Sequence, residues 1–255
     1  MSIGNLFREI KRHPERFYII HYSSQALYDE GLDGLSPRIT SIVVMHFASR
    51  QTVSFAIHAE AELLSIPKEE IAAKLDDVER ALLKRFYEFV AAKDSKDKYW
   101  IHWNMRNLTY GFEHLAHRYQ KLTGGDAPNI PVAMRINLND ELKERYGSDY
   151  AADPKLKNLM LLNGDLDIRF LEGSEEADAF KKMEFIRMNS STISKVEFFR
   201  HVIVNAQRGK LHTSGKLLVN HLDRLLESRW ARVLALCGSF VGITAVIFRV
   251  VGSIY

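Results

Sequence analysis

An α/β fold with a helical C-terminal region is predicted by three observations. Short apolar runs rich in β-branched and aromatic residues cluster before residue 140. Two long stretches with helical spacing are interleaved with them. From Asn139 on, every segment carries helical spacing, with breaks at Gly147, Gly164, Gly173 and Gly209. The chain has 255 residues, 46% hydrophobic and 26% charged, which describes an ordinary globular protein with enough length for a sizeable core.

The elements follow in order. Met1 to Arg16 reads as a short amphipathic helix ending near His13-Pro14. Phe17 to Tyr22 (FYIIHY) reads as a buried strand, and Ser23 to Arg38, with Gly31, Gly34 and Pro37, as a loop. Ile39 to Ala48 and Thr52 to His58 read as two strands joined by Ser49-Arg50-Gln51. Pro67 suits the first turn of a helix. Ile71, Leu75, Val78, Leu82, Phe86, Phe89 and Val90 then keep helical spacing to about Ala92. Tyr99 to Trp103 is a short strand and Leu108 to Leu122 a helix stopped by Gly124-Gly125. Pro131 to Leu138 is a last strand or extended segment. Helices are expected near 139–146, 154–163, 174–185, 191–208 and 214–229. This divides the chain into an α/β domain (1–138), a helical region (139–229) and a terminal segment (230–255).

The terminal segment is distinct in character. Val233 to Phe248 is a 16-residue run without a charge, bracketed by Arg232 and Arg249. As a helix the run measures about 24 Å, short of the ~30 Å hydrocarbon core of a bilayer. The whole segment from Ala231 to Tyr255 measures about 37 Å and spans if both arginines snorkel. It reads as a single C-terminal membrane anchor running from Val233 to Phe248; a buried core or oligomerisation helix is the alternative. Arg224, Arg229 and Arg232 precede the run and only Arg249 follows it, so the N-terminal portion is expected on the cytoplasmic side. Met1 to Arg16 contains no apolar signal segment. Gly238 and Gly242 place two small residues on one helix face, a spacing through which spans associate into homo-oligomers.

Charge excludes one class of reading. The formal net charge is +3, but two of the 35 basic residues lie beyond residue 230 and no acid does. That leaves 33 basic against 32 acidic residues, so the basic balance is no sign of a nucleic-acid partner. The single cysteine, Cys237, excludes an intrachain disulfide and a cysteine-based zinc site, and fits a reducing compartment. No Walker loop, dinucleotide fingerprint or nucleophile elbow occurs.

Two groups of residues could carry chemistry. His58, Glu60 and Glu62 alternate along an expected strand, and Glu113, His114 and His117 lie within one helical turn, with His46 and His102 on other strands. Their spacing matches no known metal motif, so an exposed helix face with polar strand ends is the simpler reading. The segment Lys98 to Tyr119 concentrates two tryptophans, three tyrosines, three histidines and two arginines. Such residues stack nucleobases, and they equally fill a core. Asn104, Arg106 and Asn107 sit in the strand-to-helix loop of this segment, and loops at the carboxyl ends of strands in open sheets bind ligands. A ligand surface is therefore expected from His102, Asn104, Arg106, Asn107 and Tyr110, with His21 on the first strand.

The stretch Ile101-His102-Trp103-Asn104, followed by Tyr110, Phe112, His114 and Leu115, resembles the second motif of DEDD-type 3′–5′ exonucleases. In that motif a strand ends in His-Asn and the next helix begins with Phe-Asp. The order of three strands, helix, strand and helix is also that of the RNase H-like fold, so the resemblance covers roughly residues 17–125. It implies a mixed sheet with flanking helices, and a nucleic acid or nucleotide as ligand. The chain departs at the metal-binding positions. The first strand offers His21 and Ser23 where Asp-x-Glu is expected, and Tyr110-Gly111 stands where Phe-Asp is expected. Two-metal phosphoryl transfer needs several converging carboxylates. The expectation is a membrane-tethered binding or sensing module lacking those carboxylates, a layout similar to membrane-tethered effectors of prokaryotic defence systems. A metal-dependent nuclease or hydrolase and a non-catalytic structural partner protein are the alternatives; the residues leave the cofactor open.

Overall fold

Five strands form one mixed sheet in the order β3-β2-β1-β4-β5 in the computed structural model, which describes residues 6–25, 37–92 and 97–214. The strands are β1 (Phe17–Ser24), β2 (Ile39–His46), β3 (Thr52–Ala56), β4 (Tyr99–His102) and β5 (Arg135–Asn137). β2 runs antiparallel to β1 and β3, while β4 and β5 run parallel to β1. Every residue of β1 is buried, as befits a strand covered on both faces.

Eight α-helices lie among the described residues: α1 (Leu6–Arg12), α2 (Ile57–Leu63), α3 (Leu75–Ala91), α4 (Phe112–Thr123), α5 (Leu138–Tyr146), α6 (Lys155–Leu162), α7 (Gly173–Lys181) and α8 (Phe185–Gln207). The period-2 alternation of β1 sorts its residues between two cores. Tyr18, Ile20 and Tyr22 pack with Leu82, Phe86 and Leu115 of α3 and α4. Phe17 and Ile19 pack with Leu142 of α5 and with Phe199, Val202 and Ile203 of α8. The same alternation puts His21 and Ser23 beneath α8.

Several expectations shift for local reasons. β3 stops at Ala56, and His58 lies on α2 rather than on a strand, because IHAEAEL is built from good helix formers. Two short 3-10 turns, Lys68–Glu70 and Ala72–Lys74, precede α3, whose first turn carries Asp76 and Asp77 at the positive end of the helix dipole. α4 begins at Phe112, not Leu108, and ends at Gly124 in the left-handed region (φ 74°). α7 starts at Gly173, one residue before the expected start, and ends at Lys181 rather than 185. α8 starts at Phe185; its polar stretch Ser190-Ser191-Thr192 is not a helix start but the buried side of a continuous helix. No helix among the described residues is long and apolar enough to cross a membrane. The expected helix at 214–229 lies outside the described residues from position 215 on, as does the whole anchor with Val233, Gly238, Gly242 and Phe248.

Candidate functional site

The carboxyl end of β1 is closed. Ser23 Oγ donates to Glu176 Oε1 (2.9 Å) and lies 2.7 Å from Thr192 Oγ1, which is 2.8 Å from Ser41 Oγ. Lys195 Nζ donates to the same Glu176 oxygen at 2.6 Å and sits over the Phe170 ring. Glu176 comes from α7, Thr192 and Lys195 from α8. Together they satisfy one another in a polar layer between sheet and helices, as buried polar groups must. His21 is buried in the same layer, edge-on to Phe199 at 5.3 Å. Burial, then the Lys195 ammonium and His102, hold His21 well below the usual histidine range, so it is neutral. The Tyr110 hydroxyl is 3.3 Å from both ring nitrogens of His21 and donates to the Tyr22 carbonyl at 3.0 Å. The structure thus brings His21 and Tyr110 together, in the interior.

The loop from Asn104 to Gly111 is a self-supporting turn. Asn104 takes a left-handed conformation (φ 54°), which asparagine tolerates better than most residues. Its N–H donates to Asn137 Oδ1 (2.9 Å), and its side-chain oxygen accepts from Asn137 Nδ2 (3.2 Å) and Asn139 Nδ2 (2.9 Å). Asn104 is therefore committed to joining the ends of β4 and β5. Asn107 and Tyr110 exchange backbone hydrogen bonds at 3.1 and 3.2 Å, leaving the Asn107 side chain exposed. A Cβ on Gly111 would stand 2.8 Å from the Asn107 carbonyl oxygen, so the turn requires glycine there. Gly111 N–H donates to Tyr22 Oη (2.8 Å), which lies 2.9 Å from His114 Nδ1; His114 Nε2 is 2.9 Å from the Pro37 carbonyl and donates to it. With both ring nitrogens engaged, His114 is a structural link between β1 and the Pro37 segment. Burial is the main reason its pKa falls to about 4.

An open cleft of about 470 Å³ lies along β5, at the sheet edge, next to this turn. Leu6, Tyr99, Met105 and Ile136 supply apolar wall, and the polar lining comes from His102, Arg106, Glu113, Arg135, Asp140 and Glu141. His102 Nδ1 accepts the Met105 N–H at 3.1 Å, and the ring packs edge-on against Phe112 at 5.4 Å. Burial, then Arg135 and Arg106, lower its pKa to about 3. A neutral ring that accepts at Nδ1 carries its hydrogen on Nε2, which leaves one donor free. Arg135 is held over the Phe112 ring (4.6 Å), donates to the Ile130 carbonyl at 2.8 Å and pairs with Glu113. Half-exposed Arg106 pairs with Asp140, which also accepts from Asn137 Nδ2 at 2.8 Å. Glu141, on the first turn of α5, has no ion-pair or hydrogen-bond partner among the described residues. Burial first, then Glu144 and Asp140, raise its carboxyl to about 7.

Of the residues expected at the site, His102 and Arg106 line the cleft, Asn104 ties the ends of β4 and β5 outside its lining, Asn107 stands on the exposed turn, and His21, buried, and Tyr110, half-buried, lie apart from it. Arg135, Asp140 and Glu141 were not among them. A faint signal existed: Asn137-Leu138-Asn139-Asp140-Glu141 follows a strand end with a helix cap and two acids, and Asn137 does cap α5, its side chain accepting the Asn139 N–H. The scattered His/Glu groups do not assemble. His46 bonds Ser49 Oγ and the Glu15 carbonyl, each at 2.9 Å, and buried Glu60 pairs with Arg85. Among the described residues no three His, Cys, Asp or Glu side chains converge as a metal site would. No protein-family model matches the chain, and no curated protein matches it.

Proposed function

We propose that the chain is an RNase H-like binding module that takes a nucleotide, or the end of a single-stranded nucleic acid, in the cleft along β5, and that the apolar segment 230–255 tethers it to a membrane. The mixed sheet, with β2 alone reversed and helices on both faces, supports the RNase H-like part. The cleft itself carries the functional reading: apolar wall, a neutral histidine with a free donor, and two arginines lie together at an open sheet edge. The apolar wall suits a base, and His102 Nε2 and the Glu141 carboxyl suit the hydrogen-bonding edge of that base. Arg106 suits a phosphate. Its pairing with Asp140 is half-exposed, and such pairs contribute under about 1 kcal/mol, so a phosphate displaces the carboxylate at little cost. The first-strand positions cannot serve this purpose, since Ser23 and His21 are covered by α8.

Calorimetric titration of the full chain with AMP and with a five-nucleotide thymidine strand tests this reading. Arg106→Ala is expected to weaken binding by about 10-fold or more, as loss of a charge-assisted hydrogen bond does. No binding of either probe, or equal binding by the variant, contradicts it. Glu141, which lines the same cleft as His102, favours a second reading, acid–base hydrolysis of the bound nucleotide. Turnover of nucleotide that disappears in Glu141→Gln identifies that activity.

A further inference from the structure

A second concavity of about 620 Å³ lies on the other side of the molecule, between α2 and the turn that joins α7 to α8. Its floor is apolar, made by Ile66, Ile71, Met183 and Phe185, and Ile186 stands 66% exposed beside them. The rim is cationic. Arg187 is paired with Glu184 at 3.0 Å, but among the described residues the Lys68 and Lys182 side chains have no ion-pair partner, against one unpaired acid in the lining, Glu62. His58 lines the wall, and its Nδ1 is buried without a hydrogen-bond partner. A buried ring nitrogen left unsatisfied carries a free-energy cost that a ligand headgroup or its bound water relieves. Met183 adopts a left-handed conformation (φ 57°) at the sharp turn, which sets Phe185 inward and Ile186 outward.

We propose that this groove binds one single-chain anionic amphiphile, its acyl chain along Ile71, Met183, Phe185 and Ile186 and its acidic headgroup between Lys68 and Lys182. A polar ligand leaves the exposed isoleucine and the apolar floor in water. A cationic amphiphile meets two unpaired lysines. A neutral one gains the floor but not the rim. Charge complementarity therefore selects the anion, and apolar area supplies the affinity.

The test is titration of the full chain with laurate below its micellar concentration, beside dodecanol and dodecyltrimethylammonium of equal chain length. Saturable one-to-one binding of laurate is expected. A Lys68→Ala/Lys182→Ala variant should lower laurate affinity about fivefold and leave dodecanol unchanged, in line with loss of two exposed charge contacts. Ile186→Asp should weaken laurate and dodecanol alike by about 10-fold, the value of burying a large aliphatic side chain. Both variants alter exposed positions, and a thermal melt checks that each is folded; the lysine pair carries the test if Ile186→Asp melts early. The proposal is overturned if laurate does not saturate, if the cationic amphiphile binds as tightly, or if both variants bind laurate as the parent does. The last result would place the binding elsewhere on the chain. Binding to anionic vesicles without binding to monomeric laurate also overturns it, in favour of a membrane-facing patch.

Discussion

The two ends of the polar surface on this sheet differ in what they leave free. At the end of β1, Ser23, Ser41, Glu176, Thr192 and Lys195 bond one another beneath α8. Along β5, His102 Nε2 and the Glu141 carboxyl have no partner among the described residues, and two arginines hold carboxylates that water also reaches. Both regions are rich in charge and hydrogen-bonding groups. Only the second has unspent capacity, and unspent capacity beside a cavity is what distinguishes a binding site from a polar core. Chemistry of residue types is the same in both; the position of one 23-residue helix, α8, separates them.

The sharpest way to break this comparison is to perturb each region and read stability. Lys195→Met leaves Glu176 buried without its cation and is expected to destabilise the fold by about 3–5 kcal/mol in chemical denaturation. Adding Glu176→Leu should return much of that loss, since a matched apolar pair removes the stranded charge. A small effect of Lys195→Met would mean that the layer is open to water and resembles the cleft after all. Gly111→Ala tests the turn that frames the cleft. The new methyl meets the Asn107 carbonyl at 2.8 Å, so a loss of about 1–3 kcal/mol is expected, with weakened ligand binding.

Acid sharpens the comparison next. His102 and His114 have folded pKa values of about 3 and about 4, against an ordinary value of 6.5. The unfolded chain therefore binds these protons first. Stability should be undiminished by them above about pH 6.5 and fall as pH drops from there toward 4, by on the order of 2 kcal/mol per histidine. His114→Asn or His102→Asn should flatten that slope in pH-dependent melts. Glu141 has the opposite sign. Its folded pKa is raised to about 7, so the carboxyl favours folding below about pH 4.5 and opposes it as pH rises through 7. Glu141→Gln should leave stability unchanged at pH 5 and raise it at pH 8, by less than about 1 kcal/mol because the group is half open to solvent. Equal effects at both pH values would show that the carboxyl is already ionised at pH 5.

How much of this was legible in the sequence depends on range. FYIIHY predicts β1 and its burial, and the spacing from Leu75 to Val90 predicts α3, because both signals are local. That His102 and Arg106 lie close together is legible because they flank one strand end, and both line the cleft. The places of Arg135 and Glu141 are not, since they join the cleft from beyond α4, through the β4–β5 pairing. Tyr110 and His21 are expected at a surface from their places in the motif-like segment and on the first strand, but α8 covers His21 through Phe199, and Tyr110 stacks on Tyr22. The start of α8 was misplaced because buried Ser191 and Thr192 have the composition of a turn; their hydroxyls instead bond the Leu171 N–H and Ser23. Helical propensity and polarity pointed one way at that position, and tertiary packing the other.

The central claim, that the ligand surface is the β5 cleft and not the end of β1, is tested most directly by amide hydrogen exchange of the full chain with and without saturating AMP. Protection is expected at Met105–Arg106 and across residues 135–141, with exchange at 21–24 and 191–195 unchanged. Protection confined to 21–24 and 191–195 would contradict it and return the site to the first strand.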